Sequence, residues 1–166
     1  MRLFDEHTMR ECKSLDGTWK FRVDEKDEGI SCEWEKGLPD GAGTVVPSVW
    51  NSDKGLLNYE GAAWYEKSFY SSGGTLRFVF GAVMTAARIW LDGELLGEHY
   101  GGFCEFSFVR RGVKSGVHTL TVRADNRFDE DSIPQKYVDW WHYGGIIRSV
   151  TVERLEGICV LYAKTE

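Results

Sequence analysis

A short string in the last third of the chain holds the densest group of side chains that could do chemistry. It reads DWWHYGG, from Asp139 to Gly145, and combines an acid, two tryptophans, a histidine and a tyrosine. Such a string could be an acid beside aromatic side chains that stack on a sugar, a metal-binding loop, or a cluster of packed aromatic side chains. In an extended segment Trp140 and Trp141 would point to opposite sides, so at most one of them can enter a core. Local chemistry leaves a surface site and a structural corner both open.

Other stretches give weaker signals for catalysis or metal binding. There is no GxSxG nucleophile motif, and no two cysteines or histidines stand at zinc-ligand spacing, so no metal or other cofactor is expected. The acidic run DNRFDED, Asp125 to Asp131, lacks the ordered spacing and the glycine of a calcium loop, and we interpret it as a solvated loop. His118 begins a predicted strand and is expected at the surface.

The elements that must position these residues are β-strands. Two stretches, TLRFVF (75–80) and HTLTVRA (118–124), alternate apolar and polar residues, which places one face on a core and one toward water. Asp92-Gly93 predicts a two-residue type I′ hairpin loop. Further strands are predicted at Trp19–Val23, Trp64–Tyr70, Ala87–Leu91, Glu105–Phe108 and Arg148–Glu153.

Helical patterns are scarce in this sequence. Only Glu28–Lys36 could form a turn or two, and no window keeps apolar residues at helical spacing. Short strands without crossover helices predict an all-β fold, an antiparallel β-sandwich or jelly roll.

Size and charge narrow the classes of partner. A chain of 166 residues fits one domain. Its formal net charge of −6 argues against binding to nucleic acid or to an anionic membrane, since both need a basic surface. The first residues, MRLFDEHTMREC, contain no apolar signal-peptide core, which predicts a cytoplasmic protein. The 4 cysteines are therefore expected to be free thiols that behave as small hydrophobes.

The segment DWWHYGGIIRSVTVE (139–153) resembles the signature near the end of the N-terminal domain of family 2 glycoside hydrolases, nearest the β-glucuronidase branch. Other stretches resemble that domain in the same order and together span nearly the whole chain. They are SLDGTWKFRVD (14–24), VPSVWNS (46–52), NYEGAAWYEKSF (58–69), RIWLDGELLGEHYGGFCEFSF (88–108) and HTLTVRADN (118–126).

The resemblance implies a domain organisation. Residues 1–154 would form the sugar-binding domain, a jelly-roll β-sandwich of the galactose-binding-domain-like kind, and 155–166 would begin the linker toward an immunoglobulin-like domain. A (β/α)₈ barrel with both catalytic glutamates would follow, and a barrel alone takes about 250 residues. The chain would thus be a non-catalytic part of a retaining exo-β-glycosidase that cleaves a terminal β-linked glucuronide or galactoside. By itself it is expected to be inactive.

The resemblance also assigns roles to residues. Asp139 matches the aspartate that reaches from this domain into the sugar pocket of the barrel and contacts the sugar. Residues expected at the domain interface are Trp141, His142, Tyr143 and Arg148. Some aromatic surface should then be exposed in the isolated domain, where it could support a homo-oligomer.

Three departures from the family pattern limit the assignment of a substrate. The family commonly has Asn at the position of His142, the glucuronidase branch often has Phe where this chain has Trp, and the galactosidase branch has a sugar-contacting Asn near Gly61. The last departure favours the glucuronidase branch. The alternative hypothesis is an autonomous carbohydrate-binding module without hydrolase activity.

Overall fold

The computed structural model describes residues 11–128, 132, 139 and 141–157. Its strands are β1 (Cys12–Ser14), β2 (Gly17–Asp24), β3 (Ala42–Val46), β4 (Ala62–Ser71), β5 (Gly74–Phe80), β6 (Val83–Met84), β7 (Ala86–Leu91), β8 (Glu94–Tyr100), β9 (Phe106–Val113), β10 (Gly116–Asp125), β11 (Gly145–Ile146) and β12 (Val150–Leu155). Single 3₁₀ turns lie at Trp34–Lys36, Trp50–Ser52 and Lys54–Leu56.

Two antiparallel sheets form a sandwich, which confirms the predicted fold class. One sheet has the order β1-β12-β5-β9, and the other has the order β3-β2-β4-β10-β7-β8. A short pair, β11-β6, adds a third piece. The main core contains the apolar residues of the alternating stretches, among them Phe78, Phe80, Leu120 and Val122, all completely buried.

The predicted hairpin at Asp92-Gly93 is confirmed. Both residues have positive φ, 52° and 80°, as a type I′ turn requires, and they connect the paired strands β7 and β8. The expected turns at Glu28–Lys36 are also present, ending in the 3₁₀ turn at Trp34–Lys36.

The outer face of the six-stranded sheet does not face water along its whole length, as the alternation had predicted. Trp64 and Trp90 stack there with ring centroids 5.1 Å apart, and Trp34 packs edge-on against Trp64 at 6.0 Å. Leu38 completes this second apolar cluster, and Thr121 is buried on the same face of the sheet. The reason is that the segment between β2 and β3 folds back over the sheet and covers it.

His118 is buried, and its predicted surface position is wrong. It shares a strand face with Leu120, is only 8% exposed, and contacts the Phe69 ring at a centroid distance of 5.9 Å. Its Nδ1 lies 2.6 Å from an Asp92 carboxylate oxygen, and its Nε2 lies 2.8 Å from the Lys114 carbonyl oxygen. Burial is tolerated because both ring nitrogens have partners.

The stability of the domain is expected to depend on the protonation of His118. Burial lowers the pKa of this imidazole, but its hydrogen bonds to Asp92 and to the Lys114 carbonyl outweigh burial, and the pKa lies above its ordinary value of 6.5. A raised pKa means that the contribution is full below the unfolded-state value and is lost as the pH rises through the folded-state value. We expect urea unfolding to show this loss as the pH rises above the ordinary value of 6.5. The non-titrating variant His118→Gln should lack that component, and an identical pH dependence in both proteins would contradict the prediction.

The remaining expectations concern the cysteines, a possible membrane span, and residues that lie outside the described ranges. Cys12, Cys32 and Cys104 are free, as expected, but all three are exposed rather than packed as small hydrophobes. In the part of the chain that the structure describes, no helix is long and apolar enough to cross a bilayer. Some parts of the sequence with expectations attached lie outside the described residues, namely Cys159, Trp140, the Asp129–Asp131 end of the acidic run and residues 158–166 of the expected linker.

Candidate functional site

The segment 141–145 is fixed to the sandwich by its backbone. The Trp50 amide donates to the Gly144 carbonyl at 3.0 Å, and the Gly144 amide donates to Oδ1 of Asn51 at 2.8 Å. Gly144 lies directly on the Trp50 indole, where an added Cβ would stand 1.9 Å from Cζ2. Only glycine allows this approach, so the second half of DWWHYGG is a packing contact.

Asn126 joins three separate segments of the chain. This side chain is completely buried. Its Oδ1 accepts a hydrogen bond from the Gly61 amide at 2.8 Å, and its Nδ2 donates to the carbonyl oxygens of Tyr59 and His142, both at 3.2 Å. An amide side chain suits this position because it offers donors and an acceptor together. The loop before β4, the end of β10 and the candidate segment are therefore held in one arrangement.

Asn51 performs a similar task on the other side of the candidate segment. It is buried, and its Nδ2 donates to the carbonyl oxygens of Leu56, Leu57 and Tyr59 at 3.1, 3.2 and 3.4 Å. Since its Oδ1 accepts from Gly144, the same side chain shapes the loop after Trp50 and anchors the candidate segment.

The side chains predicted for the site differ in exposure. Asp139 is exposed and makes no hydrogen bond or ion pair with any other described residue. Trp141 and Tyr143 are each 47% exposed, and the Trp141 indole donates to the Leu57 carbonyl at 3.1 Å. An aromatic surface is therefore exposed beside an accessible carboxylate.

His142 and Arg148 take different positions from these aromatics. The His142 ring is partly buried and lies 3.9 Å from the Phe128 ring, centroid to centroid. Arg148 is exposed, and its Nη1 donates to the Phe103 carbonyl at 2.9 Å. Within the described ranges no hydrogen bond joins Arg148 to Trp141, His142 or Tyr143.

Asp125, at the start of the acidic run, is not solvated, which corrects the interpretation of this residue. Its side chain is only 10% exposed and lies 3.0 Å from Nη2 of Arg123, and it accepts a second hydrogen bond from Nε of Arg127 at 3.0 Å. Burial raises the pKa of Asp125, but the hydrogen bonds and charges of the two arginines outweigh burial and hold it below its ordinary value. No group of three or more His, Cys, Asp or Glu among the described residues could hold a metal ion.

The structure gives a physical reason for the glycine at position 61. An added Cβ there would stand 2.6 Å from the Tyr59 hydroxyl, which itself donates to the Ala62 carbonyl at 2.7 Å. A larger side chain would have to displace that hydroxyl, so the residue offers only its backbone to this end of the sandwich.

Sequence reasoning missed Asn51 and Asn126, the two residues that hold the site together. Each follows an apolar stretch, in VPSVWN and in TLTVRADN. A neutral amide directly after a buried strand, as at Asn126, or directly after a buried tryptophan, as at Asn51, is a usable signal. A buried amide must find several backbone partners. Their partners lie 65 and 93 residues away in the chain, at Gly61 for Asn126 and at Gly144 for Asn51, and local patterns do not report such pairings.

Comparison with known proteins identifies the family. Residues 12–155 match the family model described as the sugar-binding domain of glycosyl hydrolases family 2. Relatives include the β-glucuronidase of Paenibacillus borealis, 27% identical over 95% of this chain and 32% of its own length. Human β-glucuronidase is 27% identical over 87% of this chain and 29% of its own length.

A solved structure is similar in fold. It is the β-glucuronidase from Ruminococcus gnavus in complex with D-glucuronic acid, with a TM-score of 0.84 and 28% identity over 90% of this chain and 30% of that one. The chain thus spans about a third of the length of these relatives. With the family model matched over almost all of the described residues, the chain belongs to the sugar-binding domains of the family 2 glycosyl hydrolases.

Proposed function

We propose that this chain is the non-catalytic sugar-binding domain of a β-glucuronidase-like, retaining exo-β-glycosidase. Its relatives named β-glucuronidase are about three times longer, which leaves room for further domains in such an enzyme. In retaining glycosidases two carboxyl groups about 5–5.5 Å apart act as nucleophile and as acid/base. We place both in a neighbouring barrel domain, and this chain supplies recognition rather than bond cleavage.

The position of Asp139 supports a role in orienting the sugar. Its carboxylate is exposed and has no partner among the described residues. It stands two residues before Trp141, the first residue of the segment 141–145 that Asn51 and Asn126 anchor. An ionised carboxylate accepts hydrogen bonds from hydroxyl groups, and such charge-assisted bonds are roughly twice as strong as neutral ones. We assign to Asp139 the contact with sugar hydroxyls at the edge of the barrel pocket.

The aromatic surface beside it would form the contact between domains. Trp141 and Tyr143 are half exposed, and Leu57 next to Trp141 is 51% exposed. Partly exposed aromatic and aliphatic side chains around a polar group are typical of the centre of an interface. His142 would contribute through its partly buried ring, and Arg148 would contribute a charge at the rim.

Two measurements test the proposal. The 166-residue chain alone should not hydrolyse p-nitrophenyl β-D-glucuronide or the β-D-galactoside, and turnover that is lost on Asp139→Asn would overturn the non-catalytic role. In a chimera that carries this chain in place of the first domain of the Ruminococcus gnavus enzyme, Asp139→Asn should lower kcat/KM for the glucuronide roughly 10- to 100-fold. Asp40→Asn, another exposed aspartate, is the matched control and should leave kcat/KM unchanged.

A further inference from the structure

A second groove lies on the outer face of the six-stranded sheet, and its lining includes neither Asp139 nor the residues expected at the domain interface. It encloses about 600 Å³ between the ends of β7, β8 and β10 and the turn that contains Asp27 and Ile30. Small-molecule sites in proteins commonly have volumes of roughly 300–1,000 Å³. The groove is thus large enough for a small ligand and open enough to admit part of a longer one.

The strand register explains why a depression forms here. One cross-strand row places Arg123, Arg88 and Glu98 side by side on β10, β7 and β8. The next row places Asp125, Ala86 and Tyr100 in the same order. Side chains directly opposite one another stand on the same face of the sheet. The small Ala86 therefore leaves a gap between two larger neighbours, and this gap is the floor of the groove.

The wall opposite Tyr100 is a fixed turn. The buried Asp24 carboxylate accepts hydrogen bonds from the amides of Glu28 at 2.8 Å and Gly29 at 2.9 Å, and from the Trp64 indole at 2.9 Å. Asp27 on this turn then contacts Nη2 of Arg123 at 2.6 Å. Strands and a pinned turn hold the groove, so its polar groups are preorganised.

The charges in the groove are balanced. Arg88 pairs with Glu98 at 2.8 Å, and Arg123 pairs with Asp27. Arg127 and Asp125 behind them add one charge of each sign. A site with equal numbers of guanidinium and carboxylate groups has no net attraction for an anion. It does present donors and acceptors side by side, an arrangement that fits neighbouring hydroxyl groups, because each hydroxyl can both accept and donate.

Apolar surface completes the groove, and one fully buried donor at Arg123 is unpaired within the described part of the chain. Tyr100 is 45% exposed and Ile30 is 42% exposed, and both line it. The faces of a pyranose ring carry C–H groups that pack on such surfaces. Nε of Arg123 is buried and has no hydrogen-bond partner among the described residues. We propose that this groove binds a neutral hexopyranose unit of a glycan, at a site separate from Asp139.

The test is a titration of the ¹⁵N-labelled chain with D-glucose, lactose, cellobiose and D-glucuronic acid, followed by amide chemical shifts. We expect saturable shifts at Arg88, Glu98 and Tyr100 with at least one neutral sugar, and no stronger response to glucuronic acid than to glucose. Arg88→Ala and Tyr100→Ala should each weaken this binding by about tenfold or more. Both side chains are partly exposed, so the fold should tolerate the changes.

Matched controls come from the same sheets. Arg110 pairs with Glu94 much as Arg88 pairs with Glu98. Tyr70, near the C-terminal end of β4, is 59% exposed. Arg110→Ala and Tyr70→Ala should leave the affinity unchanged, and so should Asp139→Asn. Absence of saturable shifts in the groove with every sugar would overturn the proposal. So would preferential binding of glucuronic acid there, or binding lost on Asp139→Asn but kept on Arg88→Ala. Because Asp139 lies outside the groove, failure here leaves its proposed role standing.

Discussion

Replacing Asn126 by alanine should destabilise the domain by about 3 kcal/mol. The substitution leaves the buried Gly61 amide and the partly buried His142 carbonyl oxygen without their Asn126 partner. The Tyr59 carbonyl oxygen keeps only the longer bonds from Asn51 and Trp50, both at 3.4 Å. An unsatisfied buried donor or acceptor costs about 1–3 kcal/mol, and water entering the vacated space would recover part of the total. The loss should also free the segment 141–145 locally.

Urea unfolding gives the change in the free energy of unfolding, and amide hydrogen exchange reports the local effect. The Gly61 and Gly144 amides should exchange faster in Asn126→Ala than in the wild type, measured against the Leu120 amide in the centre of β10. Asn58→Ala is the control, because Asn58 lies exposed in the same loop. A loss of less than about 1 kcal/mol would show that Asn126 does not hold the three segments together.

A methyl group at position 144 should be almost as damaging as the loss of Asn126. In Gly144→Ala the new Cβ would meet the Trp50 ring at 1.9, 2.3 and 2.5 Å, and these atoms belong to a buried indole. Either the indole or the backbone of the candidate segment must shift. Overpacking of this kind costs about 1–3 kcal/mol, and we expect the upper end because a rigid ring blocks the site. The displaced segment should also raise KM of the chimeric glucuronidase.

Thermal unfolding and the ¹⁵N–¹H signal of the Trp50 indole together check this prediction. Gly43→Ala is the matched control, since a Cβ at that position meets only Cγ2 of Thr18 at 3.4 Å, an ordinary contact. The control should change the unfolding free energy by less than about 1 kcal/mol. Equal effects of the two glycine substitutions would refute the packing argument at Gly144.

Much of the fold could be predicted from the sequence because its strongest signals are local. Alternation in β5 and β10 and the Asp92-Gly93 turn depend on neighbouring residues only. The strand predicted at Glu105–Phe108 is longer, Phe106–Val113, since it continues through Arg110-Arg111 at the edge of its sheet. The exposed end of an edge strand does not need an apolar face. The charged pair Arg110-Arg111 therefore gave no sign in the sequence that the strand continues.

The errors have a common physical origin in contacts between distant segments. Trp64 and Trp90 stand on the face predicted to be polar, and two large indoles on that face could have signalled a cover. The covering segment is not a strand and has no periodicity to reveal it. His118 has the same parity as Leu120, which pointed to the core, while its partner Asp92 lies 26 residues away.

The candidate site was predictable only through resemblance. Local chemistry left DWWHYGG divided between a surface site and a structural corner, and the structure shows an exposed aromatic surface together with a packing contact. Asp139, Trp141 and Tyr143 are exposed, whereas Gly144 is a packing contact. The anchoring amides Asn51 and Asn126 were invisible to periodicity because their function is to join loops that are far apart in the chain.

The order of strands in the smaller sheet has a consequence for how the domain forms during synthesis. β12 lies between β1 and β5, so Cys12 pairs with Glu153 and Phe80 pairs with Val150. Until β12 has left the ribosome, β1 has no neighbour in its sheet and one edge of β5 stays open. Closing so large a loop is slow, and an open strand edge attracts other chains. The nascent domain therefore passes through a stage in which this edge is unprotected, and β12, the last strand among the described residues, is the one that covers it.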